Sequence, residues 1–146
     1  LRALREAERR TGMIETTPRM TREETIRIQQ QADAVLHLSY RGRKGYLPVK
    51  YLEYLGSDRP IILITREQDL MEEVLDQTKT GLKVESSDAL ARLIAERVAE
   101  WRNGVECATE PDRKALEQYA YPDCLRPWVV QINEWHSART KAPLSK

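Results

Sequence analysis

The chain is poor in the residues that mark several large functional classes. It has only two cysteines, Cys107 and Cys124, and two histidines in 146 residues. There is no CxxC pair and no Cys/His cluster, so a structural zinc site is not expected. A single disulfide is compatible with the count, but two thiols in a chain this size fit a reducing, cytoplasmic compartment better. No apolar run approaches membrane-spanning length; the longest is "PIILI", residues 60–64. The N-terminal "LRALREAERR" lacks the apolar core of a signal peptide. Charge of one sign is missing as well. A formal net charge of +1 gives no global attraction for nucleic acid, and none is expected as a partner. A nucleophile elbow, a Walker loop, a GxGxxG turn and an HExxH helix are all absent, as are internal repeats and low-complexity segments.

What remains is an ordinary core-forming composition, 40% apolar and 32% charged, at a length suited to one domain. The order of apolar segments points to an α/β fold. "LRALREAERRTG" reads as a helix stopped at Gly12, and "MIETT", 13–17, as a short strand. "TREETIRIQQQAD" opens with a capping box, Thr21 and Glu24, and carries a partly apolar stripe of Thr25, Ile28 and Ala32. "AVLHLS", 34–39, has strand length. "PVKYLEYL" reads as a short helix with proline in its first turn. "PIILIT", 60–65, is the strongest candidate for a strand buried on both faces of a parallel sheet.

"EQDLMEEVLDQTKT" follows as a helix stopped by Gly81, and "GLKVE" as another strand. "SSDALARLIAERVAEWRNG" is the clearest amphipathic helix. Its Leu90, Leu93, Ile94, Val98 and Trp101 form one stripe, expected to face the core. Two further helices without a strand between them are expected in "EPDRKALEQYA" and "PDCLRPWVVQINEWHSA", before a frayed end. Strand alternating with helix implies a parallel sheet flanked by helices, with a C-terminal helical tail. The expected boundaries are 1–108 for the partial Rossmann-like unit, 109–138 for its closing helices and 139–146 for a flexible end.

In an open parallel sheet, ligands bind beyond the carboxyl ends of the strands. Strand 34–39 leads there into "YRGRKGYLPVKYLEYL". Gly42 and Gly45 permit tight or close-approaching backbone. Arg41, Arg43 and Lys44 make the loop basic, either as an anion contact or as a solvated surface loop. Lys50 and Glu53 lie one helical turn apart. They suit a surface ion pair worth about 0.3–0.5 kcal/mol. The alternative is that the Glu53 carboxylate accepts two hydroxyls, as from the cis-diol of a ribose. Tyr51 and Tyr54 beside it are either core or the walls of a site. His37, inside a strand, reads as a packed histidine, and His136 as exposed. Neither has a nucleophile or carboxylate at diagnostic spacing.

The segment "ADAVLHLSYRGRKGYLPVKYLEYLGSDRPIILI" resembles the C-terminal, nucleotide-sugar-binding domain of GT-B glycosyltransferases. It is most similar to the retaining family 4, in the branch reading "aDvlL.l… iP.KlyEYLa.grPIl". "EEVLDQTKTGLKVESSDALARLIAERV" and "PDRKALEQYAYPDCLRPWVVQINEW" resemble the end of that domain and its closing helices. The resemblance runs over residues 12–135, and its KxxEYL…rPI core is the most specific part.

The resemblance implies a Rossmann-like half of a GT-B fold and a glycosyltransferase that moves a sugar from a nucleoside diphosphate sugar to an acceptor hydroxyl. It implies that Glu53 binds the ribose hydroxyls, and that Tyr46, Leu47, Pro48 and Val49 face the donor diphosphate and sugar. Pro18 and Arg19 would lie where the backbone meets the base. Lys50 matches the motif lysine, which either pairs with Glu53 or reaches phosphate. The donor is a substrate; no other cofactor and no metal are expected. Two departures stand out. Gly45 stands where the family often has a glutamate, eight residues ahead of Glu53, so that the donor sugar is met there by backbone or not at all. The family's first strand, its glycine loop and its Arg and Lys diphosphate clamp have no counterpart here, nor has its N-terminal acceptor-binding domain. The chain therefore reads as a fragment, inactive by itself, of an enzyme whose peripheral membrane association is left open. The alternatives are a GT-B nucleotide-sugar epimerase fragment, or a non-catalytic α/β binding module.

Overall fold

A computed structural model describes residues 2–39, 42, 44–65, 70–105, 109–120 and 129–133. Its centre is a sheet of three parallel strands, β1 (Val35–Leu38), β2 (Ile61–Ile64) and β3 (Gly81–Val84), in that spatial order. Two helices, α1 (Arg2–Thr11) and α2 (Arg22–Gln31), precede the sheet. Helix α3 (Val49–Leu55) connects β1 to β2, and α4 (Leu70–Thr78) connects β2 to β3. Then follow α5 (Ser87–Arg102), α6 (Arg113–Glu117) and a helical stretch at 129–133. The expected α/β class with a parallel sheet is what forms. No helix among the described residues is long and apolar enough to cross a membrane.

Register decides which side chains meet. Val35, Ile61 and Gly81 lie abreast, as do His37, Leu63 and Lys83. This face is closed by α3 and α4. Val35, Ile61 and Leu63 pack with Tyr51, Tyr54 and Leu55 of α3 and with Met71, Val74 and Leu75 of α4. As the middle strand, β2 is paired on both edges and buries Ile61 and Leu63 completely. Ile62 and Ile64, on the opposite face, stay half-buried, so the burial expected on both faces is met on one only. Leu116 and Tyr119 pack on the edge of the same cluster. Asp112 N–H donates to the Thr78 carbonyl at 2.8 Å and anchors the start of α6.

The helix ends follow local chemistry. At Thr21 both halves of the capping box form: Glu24 N–H donates to the Thr21 hydroxyl, and Thr21 N–H donates to the Glu24 carboxylate at 2.8 Å. Ser86 caps α5 by accepting from Ala89 N–H. Beyond α5, Gly104 is left-handed at φ 74°, with Gly104 N–H on the Trp101 carbonyl and Val105 N–H on the Glu100 carbonyl. This pair of bonds is a Schellman closure.

Four expectations are corrected. Residues 13–17 form no strand; the whole segment 13–21 lacks regular structure. No neighbouring strand pairs with it among the described residues, and Met13 is 91% exposed. Instead the Glu8 carboxylate ties it to α1 by accepting from Thr16 N–H and from the Thr16 hydroxyl. Pro48 is not in the first turn of α3 but at its N-cap, with extended ψ of 144°. Gly81 does not stop α4, which ends at Thr78 with Lys79 left-handed at φ 52°. Gly81 already belongs to β3.

The fourth correction concerns α5, which buries no residue fully. Leu93, Ile94, Val98 and Trp101 line a cleft of about 570 Å³ shared with Ile62, Leu82 and Pro60. Ile94 stays 47% and Trp101 69% exposed. The stripe exists, but the narrow sheet gives it too little surface to seal against. Of the expected C-terminal helices, the first shrinks to α6, and 129–133 is the described part of the second. Cys107, Cys124, Leu125, Trp128, Trp135, His136 and the end 139–146 lie outside the described residues.

Gly81 is where the sheet is least tolerant. A Cβ there would overlap the Ile61 carbonyl, 2.6 Å from its carbon and 2.7 Å from the Ile61 nitrogen. Only backbone surrounds it, so no side chain can yield. Gly81→Ala is expected to cost about 2–3 kcal/mol through forced separation of β2 and β3. A urea unfolding midpoint equal to that of the unsubstituted chain contradicts this close approach.

Candidate functional site

At its carboxyl end β1 passes through Ser39, whose N–H still donates to Ile64 O at 2.9 Å, and then leaves the sheet. Arg41 and Arg43 of the basic loop lie outside the described residues. Lys44 is exposed, and Gly42 and Gly45 are both left-handed, at φ 72° and 69°. Nothing lies within 4 Å of where a Gly45 Cβ would be. Tyr46 is exposed; Leu47 is half-buried against the core cluster; Pro48 is buried. Val49 and Lys50 are exposed on the first turn of α3. The expected loop is therefore brought to the carboxyl end of β1, with Tyr46 and Val49 outward and Leu47 and Pro48 inward.

The two tyrosines are core rather than walls. Tyr51 is fully buried, and its hydroxyl donates to Met71 O at 3.0 Å. Burial pushes that phenol well above its ordinary pKa. Tyr54 is buried beside it, and its carbonyl accepts from the Ser57 hydroxyl at 2.7 Å. Both rings sit edge-on to His37, with centroids 5.3 and 5.8 Å away. These contacts fix which face of α3 turns inward, and Glu53 is left at the border.

Glu53 does not pair with Lys50. Its partner is Arg22, in the first turn of α2, whose Nε donates to Glu53 Oε1 at 2.9 Å. The two side chains differ sharply, Glu53 being 23% and Arg22 76% exposed. The contact spans 31 residues of sequence. It links α2 to α3 through side chains alone; Pro18 and Arg19, in segment 13–21 ahead of α2, are exposed. Lys50 forms no ion pair with any described residue. Sequence spacing does not point to Arg22; its one local signal is its position directly after the Thr21 cap.

Two further polar groups lie near this end of the sheet. The buried Thr65, just past β2, donates its hydroxyl to Glu72 Oε1 of α4. His37 is only 7% exposed, and its Nε2 has no hydrogen-bond partner among the described residues. Burial first, and the Lys50 charge second, hold its imidazole below the ordinary histidine pKa. The cleft under α5 opens near the amino ends of the strands, at Asp33, Ala34 and Pro60, and contains none of the expected site residues. Among the described residues no group of three or more His, Cys, Asp or Glu side chains is placed to hold a metal ion.

The His37 environment gives stability a pH dependence whose sign follows from linkage. The folded chain binds a proton at His37 less readily than the unfolded chain. The contribution is therefore complete above the ordinary histidine pKa of about 6.5 and is lost as pH falls through the lower folded value. His37→Phe keeps an aromatic ring and removes the unpaired nitrogen. The urea midpoint of the unsubstituted chain should fall between about pH 8 and about pH 5.5 by more than that of the variant. Parallel profiles mean that the histidine is solvated.

No protein-family model, no curated protein and no solved structure matches this chain.

Proposed function

We propose that the chain is the donor-binding part of a retaining GT-B glycosyltransferase and takes a nucleoside diphosphate sugar. The observation that carries this is the Arg22–Glu53 contact. It ties Arg22, at the start of α2 just after the segment containing Pro18 and Arg19, to the helix that presents Glu53. The resemblance assigns that segment to the base and Glu53 to the ribose, and one nucleoside must touch both.

In this reading the Glu53 carboxylate accepts the ribose hydroxyls in charge-assisted hydrogen bonds. Gly45, left-handed and without a side chain, stands in the loop where the family often has a glutamate, so any contact there with the donor sugar is made by backbone. Lys50, with no carboxylate partner among the described residues, is available to the diphosphate. Positive charge at that point stabilises the leaving group as the glycosidic bond breaks. Acceptor binding belongs to the family's N-terminal domain, which none of these 146 residues resembles.

Glu53→Ala should weaken binding of the nucleoside diphosphate sugar by about 2–3 kcal/mol, the loss of two bonds to a charged acceptor. Calorimetric titration of donor into the variant checks this. Affinity equal to that of the unsubstituted protein removes Glu53 from the site and the assignment with it.

A further inference from the structure

Arg22 is the residue in this neighbourhood that neither the motif nor the sequence spacing assigns. Its backbone sits at a capped helix start. It is the first residue of α2, directly behind the Thr21–Glu24 capping box, and the Arg59 side chain grips the far end of that helix through Gln30 O at 2.7 Å. Glu53 is equally well founded, on a helix whose inner face is locked by Tyr51, Tyr54 and Leu55. Only the intervening side chains are free to turn. Glu53 has three rotatable bonds, and an unpartnered glutamate on a helix surface samples several rotamers. A ligand that needs both carboxylate oxygens in one plane must then pay for that ordering on binding.

The Arg22 contact favours one of those rotamers before a ligand arrives. It uses one of the roughly four acceptor directions of the carboxylate, at Oε1. Among the described residues no other hydrogen bond reaches the Glu53 carboxylate, which leaves acceptor capacity for two hydroxyls. The Arg22 charge also offsets that of Glu53, lowering the repulsion that an anionic diphosphate ligand would meet. We infer that Arg22 is the positioning residue for ribose recognition: it orients the Glu53 carboxylate so that both hydroxyls of a nucleotide cis-diol are accepted together. This rests on the nucleotide-sugar reading above. It concerns how the same carboxylate distinguishes ribose from deoxyribose.

The test is a comparison of ribose with deoxyribose. UDP, GDP and ADP, each beside its 2′-deoxy counterpart, are titrated into the chain, with Kd read by ligand-observed NMR. For whichever base binds, the unsubstituted chain should favour the ribonucleotide by about tenfold, the worth of one charge-assisted hydrogen bond. Arg22→Ala should lower ribonucleotide affinity by about fivefold, the upper range for a partly exposed ion pair, and should shrink the ribose preference to about twofold. Arg22→Lys should restore part of that preference. In a Glu53→Ala background, Arg22→Ala should change nothing further, because Arg22 acts through Glu53.

A residue that merely braced α2 against α3 would lower affinity for both nucleotides alike and leave the ratio intact. An unchanged ratio in Arg22→Ala, with far-ultraviolet circular dichroism matching the unsubstituted chain, overturns this inference and leaves the nucleotide reading standing. No binding of any of the six nucleotides by the unsubstituted chain overturns both.

Discussion

The close pairing of β2 with its two neighbours is the constraint on which the rest depends. A middle parallel strand must find partners on both edges, and β2 does so with Ile61 and Leu63 sealed on one face and Ile62 and Ile64 half-buried on the other. Once Ile61 and Leu63 are buried, the parallel register places Val35 and His37 on the same face. Tyr51 and Tyr54 then close over them, which rotates α3 so that Glu53, between the two rings in sequence, emerges at the border of core and solvent. The candidate site is thus a consequence of how the core is sealed. Its carboxylate is half-buried because its two tyrosine neighbours are buried.

The two faces of the sheet are unequal. On the α3 and α4 side, buried polar groups find partners: the Thr78 hydroxyl meets Val74 O and the Thr80 hydroxyl, and the Tyr51 hydroxyl meets Met71 O. His37 is the exception: among the described residues its buried Nε2 finds no hydrogen-bond partner, a cost to the fold, while Tyr51 and Tyr54 pack T-shaped against its ring. On the α5 side, Leu36, Leu38 and Leu82 remain exposed and the helix stripe borders a cleft. The loop 45–48 and Glu53 are built on the sealed side, where their backbone positions are determined by packing.

Much of this was legible in the sequence because it depends on local rules. The Thr21 capping box needs only residues three apart, and the strand at 61–64 needs only an unbroken apolar run. What was illegible depends on distant partners. "MIETT" has strand-like composition, but a strand needs a neighbour to pair with, and composition does not supply one. The α5 stripe has helical periodicity, yet periodicity says which residues share a face, not how much sheet lies under it. The Arg22–Glu53 contact joins residues whose separation carries no periodic signal at all.

The spacing of Lys50 and Glu53 shows why a local rule can select the wrong partner. Helical neighbours three apart do interact, but orientation matters. A lysine in the first turn and a glutamate nearer the carboxyl end both oppose the helix dipole, so this order is the weaker one. A lysine also presents a strongly hydrated point charge on a flexible stem, whereas arginine offers fixed, directional donors. Arg22, launched from a capped helix start, therefore wins the carboxylate in spite of its distance in sequence. That outcome leaves Lys50 without a carboxylate partner among the described residues, beside a loop of left-handed glycines at the sheet's carboxyl end. The chain's net charge of +1 would not attract an anion over long range. A local cation without a counter-ion can do so at short range, where screening is weakest.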